Sequence, residues 1–142
     1  MSGLLHNTAV LFEADGREVG AHRKMAVIPG GSESWSSAGA STTVLELASG
    51  IRSGVAICAD ACLMDLAPAL APKRPDIVLS PAAWSPGLHG PEGEWERLSD
   101  ELSVPVLVSN RRPLTAGTFA RRTACSPAMG AGSGHGQGTA RR

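Results

Sequence analysis

The sequence predicts an α/β layered fold, and three observations predict it. From residue 51 onward, short apolar runs alternate with helix-like segments. Two hairpin patterns stand in front of that alternation, and the periodic signal ends after Asn110.

The first hairpin joins an apolar, β-prone run at Thr8–Glu13 to a return strand at Glu18–Arg23 through the turn dipeptide Asp15-Gly16. A Gly/Ser-rich loop follows over residues 29–41. The second hairpin pairs TTVLEL (42–47) with IRSGVAIC (51–58) around Ser49-Gly50, and its final GVAIC reads as a buried strand. Ala61–Ala71 has helical composition, with Leu63, Leu66 and Leu70 at helical spacing and Pro68 placed near the start. Asp76–Ser80 reads as the next strand. Glu92–Leu102 is an amphipathic helix with Trp95, Leu98 and Leu102 on one face. Val104–Ser109 is the third strand of the series, where Pro105 is tolerable near the beginning. Strands alternating with helices in this way imply parallel pairs with crossover connections.

A chain of 142 residues, 42% hydrophobic, supports one compact domain, here residues 1–112. With three Trp, two Phe and no Tyr, its core rests on Val, Ile, Leu and Ala. No apolar run approaches the roughly 20 residues of a membrane helix, and the N-terminus lacks a secretory pattern, so no membrane partner and a cytosolic location are expected. Residues 113–142 read as a low-complexity, basic, disordered tail, since Thr123–Arg142 has almost no large apolar side chain to offset its ordering entropy. The charge is split: residues 1–110 carry a net −6 and residues 111–142 carry +6, all of it arginine. Nucleic-acid binding ranks last, because those arginines have no aromatic interleaving beyond Phe119. The alternating glycines of the tail follow no strand, so they make no dinucleotide loop, and no cofactor is expected. Three cysteines argue against a disulfide framework, and the C-x3-C spacing of Cys58 and Cys62 without a nearby His pair argues against a metal.

Cys58 carries the sharpest chemical signal. It ends an apolar strand just before a predicted helix start, where unsatisfied N–H groups and the helix dipole favour a thiolate. The backbone amide of Ala59 can face a developing oxyanion there. The same position suits a small buried hydrophobe, the commoner fate of a free cysteine. Lys24 ends a hairpin strand, where a cation is ordinarily solvated. Of the acids between them, Glu46 sits in a strand pattern on its solvent face, and Glu33 lies in the Gly/Ser loop, either solvated or near the site.

Together these fragments resemble one family. NTAVLFEADGREVGAHRK is similar to the hairpin that delivers the catalytic lysine in the nitrilase superfamily of carbon–nitrogen hydrolases. TTVLELASGIRSGVAICAD resembles the strand pair leading to its nucleophilic cysteine, and DIVLSPAAW and EWERLSDELSVPVLVSN resemble the strand and the helix–strand that follow. The order agrees over residues 7–112. The resemblance implies a partial α-β-β-α sandwich with a mixed sheet, and a Glu-Lys-Cys mechanism on a small amide-like substrate. By position, Cys58 is the nucleophile, Lys24 the oxyanion-stabilising cation and Glu33 the auxiliary glutamate. Trp84 and His89 fall where the family lines its pocket, although a packed loop aromatic and a surface histidine explain them equally well. The family's general-base glutamate belongs to a segment upstream of the first hairpin, so the chain reads as a truncated member with impaired hydrolysis. A half-sandwich also leaves a sheet face bare, which favours a homo-oligomer.

Overall fold

The computed structural model describes residues 3–84 and 92–110, and the backbone of residues 121–125. Strands β1 (Thr8–Phe12) and β2 (Glu18–Arg23) form an antiparallel hairpin of their own. Its turn is closed by Glu13 N–H to the Arg17 carbonyl at 2.8 Å, and Gly16 takes φ +86°, a conformation that glycine adopts without steric cost. The remaining strands, β3 (Thr43–Glu46), β4 (Arg52–Val55), β5 (Ile77–Ala82), β6 (Val106–Asn110) and β7 (Arg121–Cys125), make one sheet in chain order. The β4–β5 and β5–β6 pairs are parallel, and the outer pairs β3–β4 and β6–β7 are antiparallel. The sheet is therefore mixed, as the resemblance implied.

Helices α1 (Leu66–Leu70) and α2 (Glu94–Leu102) provide the two crossovers. They cover one sheet face, where Leu66, Leu70, Trp95 and Leu98 pack with Val78, Val106 and Val108. Alternation along β5 and β6 sends Leu79, Pro81 and Leu107 to the opposite face. There they line an apolar groove of about 400 Å³ with Val10 and Leu11 of the first hairpin. Trp95, Leu98 and the partly buried Leu102 do share the inner face of α2. Glu94 and Glu96 in its first turn suit the positive end of the helix dipole.

One expectation needs correction. The helix expected over Ala61–Ala71 is shorter. Cys58–Cys62 forms a 3-10 turn that ends at an extended Leu63, and α1 starts only at Leu66, with Pro68 inside the first turn, where its missing N–H has no partner to lose. Cys58 therefore opens a single tight turn, whose dipole is small, and not a long helix. Strand β7 pairs with β6 inside the stretch read as tail. Its sequence RRTAC has no large apolar residue, so nothing in its composition announced a strand. Residues 111–120 and 126–142, and the tail's other expected properties, lie outside the described residues.

The Gly/Ser loop is built by successive turns between Ile28 and Ser36 and is pinned to the N-terminal segment by Ser37 N–H to the Leu5 carbonyl at 2.7 Å. It then presses on the end of β2. Gly39 N–H donates to the Lys24 carbonyl at 2.7 Å, and a Cβ on Gly39 would stand 2.2 Å from the Arg23 carbonyl oxygen. Because the clash is with backbone, Gly39→Ala should lower stability by about 2 kcal/mol. Thermal unfolding checks this, with a drop in Tm of roughly 5 °C expected. An unchanged Tm would show that the loop does not hold this approach.

Candidate functional site

Strand alternation places His22 and Lys24 on the inward side of β2 and its continuation, with Arg23 pointing out. Lys24 is 1% exposed, so it is no solvated surface cation. Its ammonium pairs with Glu33, which also accepts from Asn7 Nδ2 at 3.0 Å. A buried ammonium is tolerable only with such a partner. The loop fold thus brings Glu33 to the lysine, while Glu46 stays exposed on β3.

Cys58 is half-buried and adopts φ +51°, a left-handed conformation that a non-glycine residue occupies at a cost of about 1–2 kcal/mol. It forms a sharp elbow between β4 and the 3-10 turn. The first N–H groups of such a turn have no acceptor within it, and Ala59 follows immediately, 4% exposed.

These parts meet. Lys24, Glu33, Cys58, Ala59 and Trp84 line one open cavity of about 540 Å³, together with Asn7 and Trp35. Trp84 is fixed by Asn110, whose side chain accepts from the Trp84 N–H and donates to its carbonyl, both at 2.9 Å. Its ring stacks edge-on against Trp95 with centroids 5.4 Å apart. His89 lies outside the described residues. Among the described residues no cluster of His, Cys, Asp or Glu could hold a metal ion.

Cys62 is exposed at the far end of the 3-10 turn. Partial burial of its sulfur pushes the thiol pKa up, and the Glu94 carboxylate and Cys58 add to this, against smaller lowering effects of Arg97 and Lys24.

Sequence reasoning did not name His22, Asn7, Asp60 or Asn110 as site residues. His22 and Asp60 are both 0% exposed and bonded to each other, His22 Nε2 to Asp60 Oδ2 at 3.1 Å. The available signal was a histidine two positions before Lys24, hence on the same strand face.

Comparison with known proteins gives these parts a context. The sequence model of the carbon-nitrogen hydrolase family matches residues 2–104. Nit3 from Saccharomyces cerevisiae, a member of branch 10 of the nitrilase superfamily, is 26% identical, with a TM-score of 0.69 over 86% of this chain and 46% of its own. A carbon-nitrogen hydrolase from Helicobacter pylori G27 is 23% identical, with a TM-score of 0.69 over 89% of this chain and 51% of its own. An amidase mutant from Nesterenkonia sp. AN1, solved with the acetamide moiety of fluoroacetamide added covalently at the active site cysteine, is 19% identical, with a TM-score of 0.69 over 85% and 47%. The chain thus spans about half the length of these structures. No curated protein sequence gives a significant match. With the family's model matched over most of its length and the same fold in these neighbours, the chain belongs to the carbon–nitrogen hydrolase family of the nitrilase superfamily.

Proposed function

We propose that Cys58 is an acyl-accepting nucleophile for small linear amides, acting in the cytosol, where its thiol stays reduced. The observation that carries this reading is the shared cavity of Lys24, Glu33, Cys58 and Ala59. The sulfur attacks the amide carbon, the carbonyl oxygen becomes an oxyanion, and the C–N bond breaks as the amine leaves with the proton given up by the Cys58 thiol, giving a thioester. Lys24 and the Ala59 N–H are the oxyanion's donors, and Glu33 holds the ammonium in place. Trp84 forms the wall that selects for a small acyl group, and His89 is a second proposed substrate contact. The Nesterenkonia amidase, solved with an acetamide moiety bonded to its active site cysteine, shows that a cysteine in this fold can act as a nucleophile, there by alkylation and not by acyl transfer.

Glu33 is the one carboxylate among the described residues lining the cavity, and it is occupied by Lys24 and Asn7. Among the described residues, water activation therefore lacks a free base there, and thioester hydrolysis should be slow by about 10²–10⁴-fold relative to a site that has one. The expected result with p-nitrophenyl acetate is one burst of p-nitrophenolate with the acetyl group on Cys58, located by peptide mass spectrometry. Iodoacetamide should also label Cys58 ahead of Cys62. The raised pKa of Cys62 keeps it protonated at pH 8, so its labelling should accelerate only as pH climbs past the ordinary thiol range. Acetyl groups spread over Cys62 and surface lysines would sink the nucleophile assignment.

The apolar groove on the sheet face opposite the helices supports a second reading, a non-catalytic module that self-associates through that face. Leu107, 38% exposed there, is its natural probe. Light scattering should give a dimer or larger species for the wild type and a smaller one for Leu107→Glu. A wild type monomeric at high concentration contradicts this reading.

A further inference from the structure

We propose that His22 and Asp60, which do not line the cavity, form a buried clasp that positions the Cys58 elbow against the strand end bearing Lys24; this rests on the acyl-transfer reading above. The Asp60 carboxylate is fully buried and has four donors. Its Oδ1 accepts from the backbone N–H groups of Met25 at 2.9 Å and Ala26 at 2.8 Å. Its Oδ2 accepts from the Ile57 N–H at 2.8 Å and from His22 Nε2 at 3.1 Å. Since an ionised carboxylate only accepts, Nε2 carries a proton, and Nδ1 meets Thr43 Oγ1 at 3.0 Å at the start of β3.

The placement of those donors is what matters. Met25 and Ala26 directly follow Lys24, Ile57 directly precedes Cys58, and His22 stands two residues before Lys24. One carboxylate therefore ties the immediate neighbours of both reacting side chains to a single point. It also restrains an elbow that has reason to relax, because Cys58 is held at φ +51° between the Ile57 N–H bond and the bond from the Asp60 N–H to the Ile57 carbonyl at 3.0 Å. If the Ile57 arm is released, the sulfur can move relative to the ammonium. Acyl transfer is sensitive to such displacement, since about 1 Å can cost roughly 10²-fold in rate.

Asp60→Asn separates the arms. Its remaining oxygen can keep Met25 and Ala26, while its amide nitrogen then faces the Ile57 N–H, donor against donor. His22→Leu removes the histidine arm, and His22→Gln keeps a side-chain N–H donor. For each variant, the rates of Cys58 acetylation by p-nitrophenyl acetate and of alkylation by iodoacetamide are measured on the folded chain, checked by circular dichroism. Acetylation passes through an oxyanion and expels p-nitrophenolate from the carbonyl carbon. Alkylation displaces iodide at a saturated carbon, so it reports only the thiol's access and reactivity.

The clasp predicts that Asp60→Asn lowers acetylation by about tenfold or more while alkylation stays within about twofold. His22→Leu should lower acetylation by at least about threefold, with His22→Gln near wild type. Parallel changes in both rates, or no change in either, overturn the positioning role. If Asp60→Asn does not fold, the two His22 variants decide the matter by the same criterion. A wild type whose Cys58 is alkylated but never acetylated overturns the acyl-transfer reading itself, and the clasp's role with it, a result distinct from a variant that acetylates normally.

Discussion

Lys24→Met should lower the rate of Cys58 acetylation by about 10²–10³-fold, the usual loss on removing one oxyanion donor. Methionine nearly matches the apolar stem of lysine, so the substitution removes the charge while keeping most of the packing. Its stability cost should stay modest. Breaking a buried pair commonly costs about 3–5 kcal/mol because a charge is left without a partner. Here the orphaned group is Glu33, whose side chain is 16% exposed and keeps the bond from Asn7, so about 1–3 kcal/mol is expected. Acetylation kinetics and a denaturant titration separate the two effects. If acetylation of the folded variant runs at the wild-type rate, Lys24 serves only as a structural counter-ion for Glu33.

Cys58→Gly should do two opposite things. Acetylation at the site should disappear, a loss of roughly 10³-fold or more, because glycine leaves no sulfur at that elbow. Stability should rise by about 1 kcal/mol, since glycine adopts φ +51° without the steric penalty that cysteine bears there. Cys58→Ser is the control, because it keeps the left-handed strain and should show no gain. A higher Tm in the inactive glycine variant alone is the signature of strain held for function. A glycine variant less stable than the wild type would mean that the thiol's packing outweighs the strain.

The first hairpin, the second hairpin and the β5–α2–β6 series were legible because their residues obey a period. Thr8–Phe12 and Glu18–Arg23 flank a turn dipeptide, and Trp95, Leu98 and Leu102 recur at helical spacing. β7 was not legible, since Arg121–Cys125 is specified by its pairing with β6 and not by its own composition. The short α1 was misread because the leucines at 63, 66 and 70 keep helical spacing while the backbone between 58 and 65 turns more tightly. At the site, Cys58, Lys24 and Glu33 were nameable from motif order, and the structure brings them to one cavity. The burial of Lys24 was not foreseen, because it depends on a loop folding back over the end of β2. The His22–Asp60 bond joins residues 38 apart in sequence, and no local pattern encodes such a pairing.

The most direct test of Lys24 and the Ala59 N–H as oxyanion donors beside Cys58 is a crystal structure of the chain after fluoroacetamide treatment. The expected product is an acetamide bonded to the Cys58 sulfur through its CH2, with fluoride lost, and with the amide oxygen about 3 Å from Lys24 Nζ and within reach of the Ala59 N–H. An adduct whose oxygen points to solvent, with Lys24 still facing only Glu33, would contradict that role.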